Sequence, residues 1–221
     1  MKQEAADPYG MIMDAIVTQA LPPSQKVSEN ILSETFGISR AMARNMMERL
    51  AAQHFLVTLS PRITQVAPLT LLEIRQNFML RRMLLPEIIA GASKVDFDKI
   101  TALNKKISSL LPFKDDATAL ELLKVNKELN LTLCEPIGYP LMIDWVGQLE
   151  DTAMRIYWLY IKTKQAFPYS SDQQSTIIEV MRTDDRKRIH SCINDMIVQT
   201  EERVLDAVFQ NKQFYTQDLI V

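Results

Sequence analysis

The chain has 221 residues, 47% of them hydrophobic and 24% charged, with a formal net charge of -2, the composition of an ordinary globular protein of one large domain or two small ones. No apolar run approaches the ~20 residues needed to span a bilayer, and no basic start followed by an apolar core reads as a signal peptide. A cytoplasmic chain without membrane contact is therefore expected. Only 5 glycines and 10 prolines stand beside 12 methionines, which favours helix. Cys134 and Cys192 lie far apart in no CxxC context and read as two buried, reduced thiols.

Residues 8–20 read as a first helix, with Met11, Ile12, Ala15 and Ile16 on one side. "LPPSQ" ends it, because paired prolines stop a helix and extend the chain. Ser28 is placed to cap a second, short helix, "ENILSETF", and Gly37 follows as a left-handed C-terminal residue does. After a three-residue step, Ser39 stands as the N-cap of a third helix. In it Ala43, Met46, Met47 and Leu50 form an apolar stripe, while Arg40 and Arg44 lie one turn apart on another face. Helix, short Gly-containing turn and second helix is the helix-turn-helix layout.

Beyond Leu50, "LVTL" and "ITQV" are strand-like runs separated by Ser60, Pro61 and Arg62, which predicts a small hairpin. A hairpin directly after a helix-turn-helix is a wing. His54, in the turn before it, reads as a surface residue. Pro68 marks a boundary between a region 1–68 and a region 69–221. The second region shows no strand. Helices are expected at about 69–92, 96–111, 116–135, 139–166, 171–183 and 185–210, broken by Pro112, Pro136, Gly138 and Pro168. The fold class is thus mostly α: an N-terminal winged helix-turn-helix and a C-terminal all-α bundle. In residues 1–68, Lys2, Lys26, Arg40, Arg44, Arg49 and Arg62 balance Glu4, Asp7, Asp14, Glu29, Glu34 and Glu48. That neutrality counts mildly against nucleic-acid binding, but the distribution of charge over faces matters more than its sum.

The segment "LPPSQKVSENILSETFGISRAMARNMMERLAAQHFLV" resembles the winged-helix segment of GntR-type transcription regulators. Their usual form is close to L-x-P-G-x-x-L-x-E-x-x-L-A-x-x-F-G-V-S-R-x-P-V-R-x-A-L-x-x-L. Leu21, Pro23, Glu29, Leu32, Phe36, Gly37, Ser39, Arg40, Arg44 and Leu50 match it at the right spacing. The helical remainder is similar to the FCD effector domain of the FadR-like subfamily, with Arg81 in "FMLRRML" at a typical arginine position and Tyr139-Pro140-Leu141 at a turn that usually reads Asn-Pro-Leu. The resemblance spans residues 10 to about 205. It implies a homodimer on a palindromic double-stranded operator, with Ser39, Arg40, Arg44, Arg49 and Arg62 toward DNA. Arg49 reads equally as a structural or a phosphate-facing residue. The wing tip departs from the family, which usually places Gly where Ser60-Pro61-Arg62 stands here, and Asn30 replaces a frequent Arg or Lys.

Many FCD domains carry Asp-x-x-x-His and two further histidines that suit a divalent ion. The resemblance places Asn126, Asn130, Gln174 and Met196 at those four positions, none a good ligand for such a metal. The expectation is no metal, no cofactor and a polar but uncharged pocket for a small organic effector, lined by Asn126, Asn130, Gln174 and Met196. Arg81 has Leu85 rather than an acid at i+4, so it either faces a ligand anion or pairs with a distant carboxylate. "DDRKR", residues 184–188, reads as a solvated run with its aspartates at a helix N-terminus. The tail "FYTQDLIV" is apolar for a terminus. His190 and Cys192, two apart, point to different sides of a helix and make a poor catalytic pair. With neither a nucleophile–base pair nor a metal set, no enzyme is expected. The alternative to a regulator is an interaction protein that keeps this fold but has lost DNA binding or effector sensing.

Overall fold

The computed structural model describes residues 7–169 and 171–210, apart from the side chains at 171, 172 and 174. The tail segment "FYTQDLIV" lies outside the described residues. The chain divides into two compact units, one ending at Thr70 and the other beginning at Leu71.

In the first unit, α1 (Pro8–Val17) starts where the Asp7 side chain accepts a hydrogen bond from the Tyr9 backbone N–H and Pro8 occupies the first turn. It is shorter than the periodicity predicts, since Gln19 turns left-handed with φ 60° ahead of the prolines. The buried side is Ile12, Met13, Ile16 and Val17, and Met11 is exposed. A two-residue strand, β1 (Lys26–Val27), follows, then α2 (Glu29–Phe36) and α3 (Arg40–Ala52). Ser28 accepts from the Ile31 N–H and Ser39 from the Met42 N–H, both at 3.2 Å, so each helix opens on its expected cap. Gly37 closes α2 at φ 65°, a left-handed conformation that glycine adopts without a Cβ penalty. β2 (Leu56–Ser60) and β3 (Ile63–Val66) form the hairpin around Pro61 and Arg62. β1 adds to it, giving an antiparallel sheet in the order β1-β3-β2, with Val27 opposite Thr64 and Val57 opposite Gln65. Ala43 and Leu50 of α3 are fully buried against Ile12, Ile16, Leu32, Phe55 and Val66, with Met46 and Met47 half-buried at the edge of this core.

The second unit is all helix: α4 (Leu71–Gly91), α5 (Phe97–Ser109), α6 (Asp116–Cys134), a 3-10 turn at Glu135–Ile137, α7 (Pro140–Lys164), α8 (Ser171–Met181) and α9 (Arg186–Phe209). Aspartates 96, 115 and 185 cap α5, α6 and α9, which is why these helices begin within a residue or two of the expected positions. α4 packs on α9, α7 and α6, and α6 in turn on α5 and α7. The core includes Ile74, Phe78, Leu122, Trp158, Ile193 and Ile197. Cys134 is buried as expected, but Cys192 is only half-buried. Among the described residues no helix is long and apolar enough to cross a membrane.

Candidate nucleic-acid interface and buried polar cavity

Burial of Ala43 and Leu50 fixes the rotation of α3 about its axis. The opposite side, Arg40, Ala41, Arg44, Asn45 and Glu48, is exposed. Arg40, Arg44 and Glu48 rise in steps of one turn, with Asn45 beside them. Ser39 opens this face, its hydroxyl engaged in the cap. Arg44 is not free on the surface. Its Nε meets Glu29 Oε1 at 2.7 Å and its Nη2 meets Oε2 at 3.3 Å, so a carboxylate on α2 grips it in bidentate fashion. The hydrogen bond from Arg44 holds the Glu29 carboxyl below its ordinary pKa, and Glu29 raises that of Arg44. Arg49 lies apart from this row, with its guanidinium carbon 3.6 Å from the centroid of the Tyr9 ring on α1. Arg62 stands exposed at the hairpin tip, where its N–H donates to Ser60 Oγ at 3.4 Å. The structure thus brings Ser39, Arg40 and Arg44 onto one face and places Arg49 in a helix-to-helix contact. Asn45 was missed by sequence reasoning. Its position five residues after Arg40 on a helix was the available signal.

In the second unit, a buried charged pair lies behind the cavity whose lining was expected to be polar and uncharged, bonded to two of its lining residues, Asn130 and Tyr169. Arg81 Nη1 of α4 lies 2.9 Å from Glu150 Oε1 of α7, and both side chains are all but inaccessible. The distant carboxylate that Arg81 required is therefore Glu150. Asn130 Nδ2 donates to the other Glu150 oxygen at 2.8 Å, and Arg81 Nη2 donates to Tyr169 Oη at 3.3 Å. The Tyr169 and Tyr157 hydroxyls meet at 2.5 Å. Burial pushes the Glu150 carboxyl up, against the pull of Arg81 and Asn130. Burial also works against the charge of Arg81, but Glu150 and the two tyrosines outweigh it and its pKa is raised. Both tyrosine hydroxyls and the Cys134 thiol are likewise raised by burial. Cys134 is consequently a protonated, inert thiol.

Asn126, Asn130, Tyr169 and Met196 line one cavity with Leu129, Leu133 and Ile177, so three of the four positions named by resemblance do converge. The Gln174 side chain lies outside the described residues. Among the described residues no group of three or more His, Cys, Asp or Glu is arranged to hold a metal ion. His190 instead faces Glu87 at 3.3 Å.

Neither the family models nor the curated proteins give a match to this sequence. Solved structures do. The chain is similar to the E. coli protein McbR/YncC at 16% identity and a TM-score of 0.70, over 90% of this chain and 95% of the other. It is similar to a protein from Rhodococcus sp. RHA1 put forward as a transcriptional regulator, GntR, at 14% identity and a TM-score of 0.68, over 90% and 95%. A third is a GntR family transcriptional regulator from Pseudomonas syringae pv. tomato, at 16% identity and a TM-score of 0.53, over 93% and 88%. At these identities the likeness is one of fold: a winged helix followed by an all-α unit.

Proposed function

We propose that the chain is a transcription regulator, not an enzyme, that binds double-stranded operator DNA as a homodimer and answers to a small organic effector. The observation that carries this reading is the exposed row of Arg40, Arg44 and Glu48, with Asn45, on a helix whose other side is locked into the core of a winged unit. Such a helix fits the major groove, where arginine reads guanine and asparagine reads adenine. Arg62 at the wing tip reaches the neighbouring phosphates or minor groove. Arg49 supports the helix from Tyr9.

The effector site is the cavity of Asn126, Asn130 and Met196, with Gln174 on the adjoining helix α8 and Arg81 behind it. Binding requires no metal. A chelator should leave the melting temperature unchanged, and about one ion per chain in metal analysis would overturn this part. The ligand acts by favouring one arrangement of the dimer, and so one spacing of the two α3 helices.

The test is selection of an operator from a random pool of duplexes, followed by titration at several salt concentrations. Arg44→Ala should lose about 1–3 kcal/mol of specific affinity with dimerisation intact. If no sequence is enriched, or if Arg44→Ala binds the selected operator as well as the parent, the chain is an interaction protein on a regulator fold.

A further inference from the structure

The cavity of Asn126, Asn130 and Tyr169 has a volume of about 20 Å³. That is room for about one water molecule, far too little for an organic ligand. On the outer side of the same wall, a groove of about 450 Å³ runs between α8 and α9, lined by Gln173, Thr176, Arg188, Ser191 and Asp195. Met196 lines both spaces. α8 serves both as well, with Ile177 on the cavity and Thr176 and Val180 on the groove. Met196 is half-buried. Methionine is unbranched and has three rotatable bonds, so it can vacate its position at less cost than a branched residue.

The charges nearby bear on what can enter. Glu150 already answers Arg81 at 2.9 Å and takes a hydrogen bond from Asn130 at 2.8 Å. An arriving carboxylate would meet Glu150 beside the buried Arg81 and would have to displace it. The amides and the tyrosine hydroxyl offer hydrogen bonds without net charge.

We propose that Met196 is a gate between the groove and the cavity, and that the molecule it admits is uncharged. A hydroxyl or amide head bonds to Asn126, Asn130 or Tyr169. A narrow apolar body takes the place of the Met196 side chain against Leu129 and Ile177, and the remainder lies in the groove. This deepens, and rests on, the effector reading of the same cavity.

Phenol, with a hydroxyl head and an apolar body, is a suitable probe, and benzoate is its charged counterpart. Both are titrated into the full-length protein by calorimetry and stopped-flow fluorescence. A gate that is open in a minor state of 10% or less weakens apparent affinity on the order of tenfold or more. Met196→Ala should therefore bind phenol on the order of tenfold tighter and faster, with benzoate still excluded. Leu122→Ala loosens the core without lining either the cavity or the groove, so it should leave the association rate at the parent value. Met196→Ile, stiff at χ1 but similar in size, should slow entry, and it serves if the alanine variant folds poorly. Alkylating Cys192, which lines the groove, with a bulky maleimide should abolish the fast entry of Met196→Ala. Equal association rates in Met196→Ala and Leu122→Ala, benzoate binding as tight as phenol, or entry untouched by Cys192 alkylation would each overturn the gate. None of these readouts involves DNA. Phenol that binds as described yet never alters operator affinity would count against the effector reading and leave the gate standing.

Discussion

Arg81 and Glu150 are 1% exposed each, and the fold tolerates them because each answers the other. Removing one partner of a buried pair strands the other in a low dielectric, whereas removing both can cost little. Glu150→Ala should therefore destabilise the protein by about 3–5 kcal/mol, read by urea unfolding, and Arg81→Met with Glu150→Leu should return close to the parent. A Glu150→Ala variant of near-parental stability would show that the pair does not hold α4 to α7. Glu150 sits on the apolar stripe of α7 with Val146, Ala153 and Tyr157, so an acid at a core position was legible in the sequence. Its partner was not, because helix periodicity says which side is buried and nothing about which distant helix covers it. The same limit hid the Glu29 grip on Arg44. That grip orients the guanidinium and, on the proposed DNA-binding reading, sets a negative charge where phosphates would lie. Glu29→Gln should tighten binding to random duplex DNA while the preference for the selected operator narrows, measured by competition at fixed salt. A preference unchanged from the parent would mean that Glu29 does not position Arg44.

At the scale of elements, local chemistry carried the reading where it was strong. Ser28, Gly37 and Ser39 act through backbone groups within three or four residues of themselves, and they fix α2, the turn and the start of α3 as the sequence implies. Ser39→Ala should cost about 1 kcal/mol of stability, and should weaken operator binding as the first turn of α3 frays. Ser39→Asp restores a capping oxygen, so it should recover the stability; because it adds a negative charge at the proposed DNA face, it should not recover binding. A parental melting temperature for Ser39→Ala would argue that tertiary packing, not the cap, sets this end. β1 escaped notice because two residues have no periodicity, and its existence depends on pairing with β3, which only the closed fold supplies. On α1, Ile12 and Ile16 are buried as expected, but Met13 and Val17 rather than Met11 and Ala15 complete the buried side, for a related reason. Met11, Met13, Ile16 and Val17 allow more than one apolar arc, and contact with the rest of the unit selects the one that excludes Met11.

For the whole molecule, the outer face of the second unit sets the problem of what covers it. On α4, Leu72, Met79 and Met83 are 68%, 64% and 61% exposed, and on α7 Leu141 and Trp145 are 61% and 48% exposed. α4 and α7 pack side by side, and the contact of Asn77 with Leu149 and the approach of Gly91 to Ile137 show that they run antiparallel. The C-terminal half of α4 thus lies beside the start of α7, with Met83 and Trp145 toward the same end. Large apolar side chains gathered on one face mark an interaction surface more often than chance exposure does. A second copy of the chain is the occupant that suits the palindromic operator proposed above, since a two-fold axis presents the same patch from both sides. A stable interface of this kind buries about 1,600 Å² in total, which two antiparallel helix pairs can supply. Changing Met79 and Met83 together to Glu places four carboxylates across that axis without touching the core. The variant should sediment as a monomer with its helical content intact. Because the second half-site is then no longer held at high effective concentration, operator affinity should fall on the order of 10²-fold or more. A variant that remains dimeric would place the interface elsewhere, and a monomer that binds the operator as tightly as the parent would break the link between this face and DNA recognition.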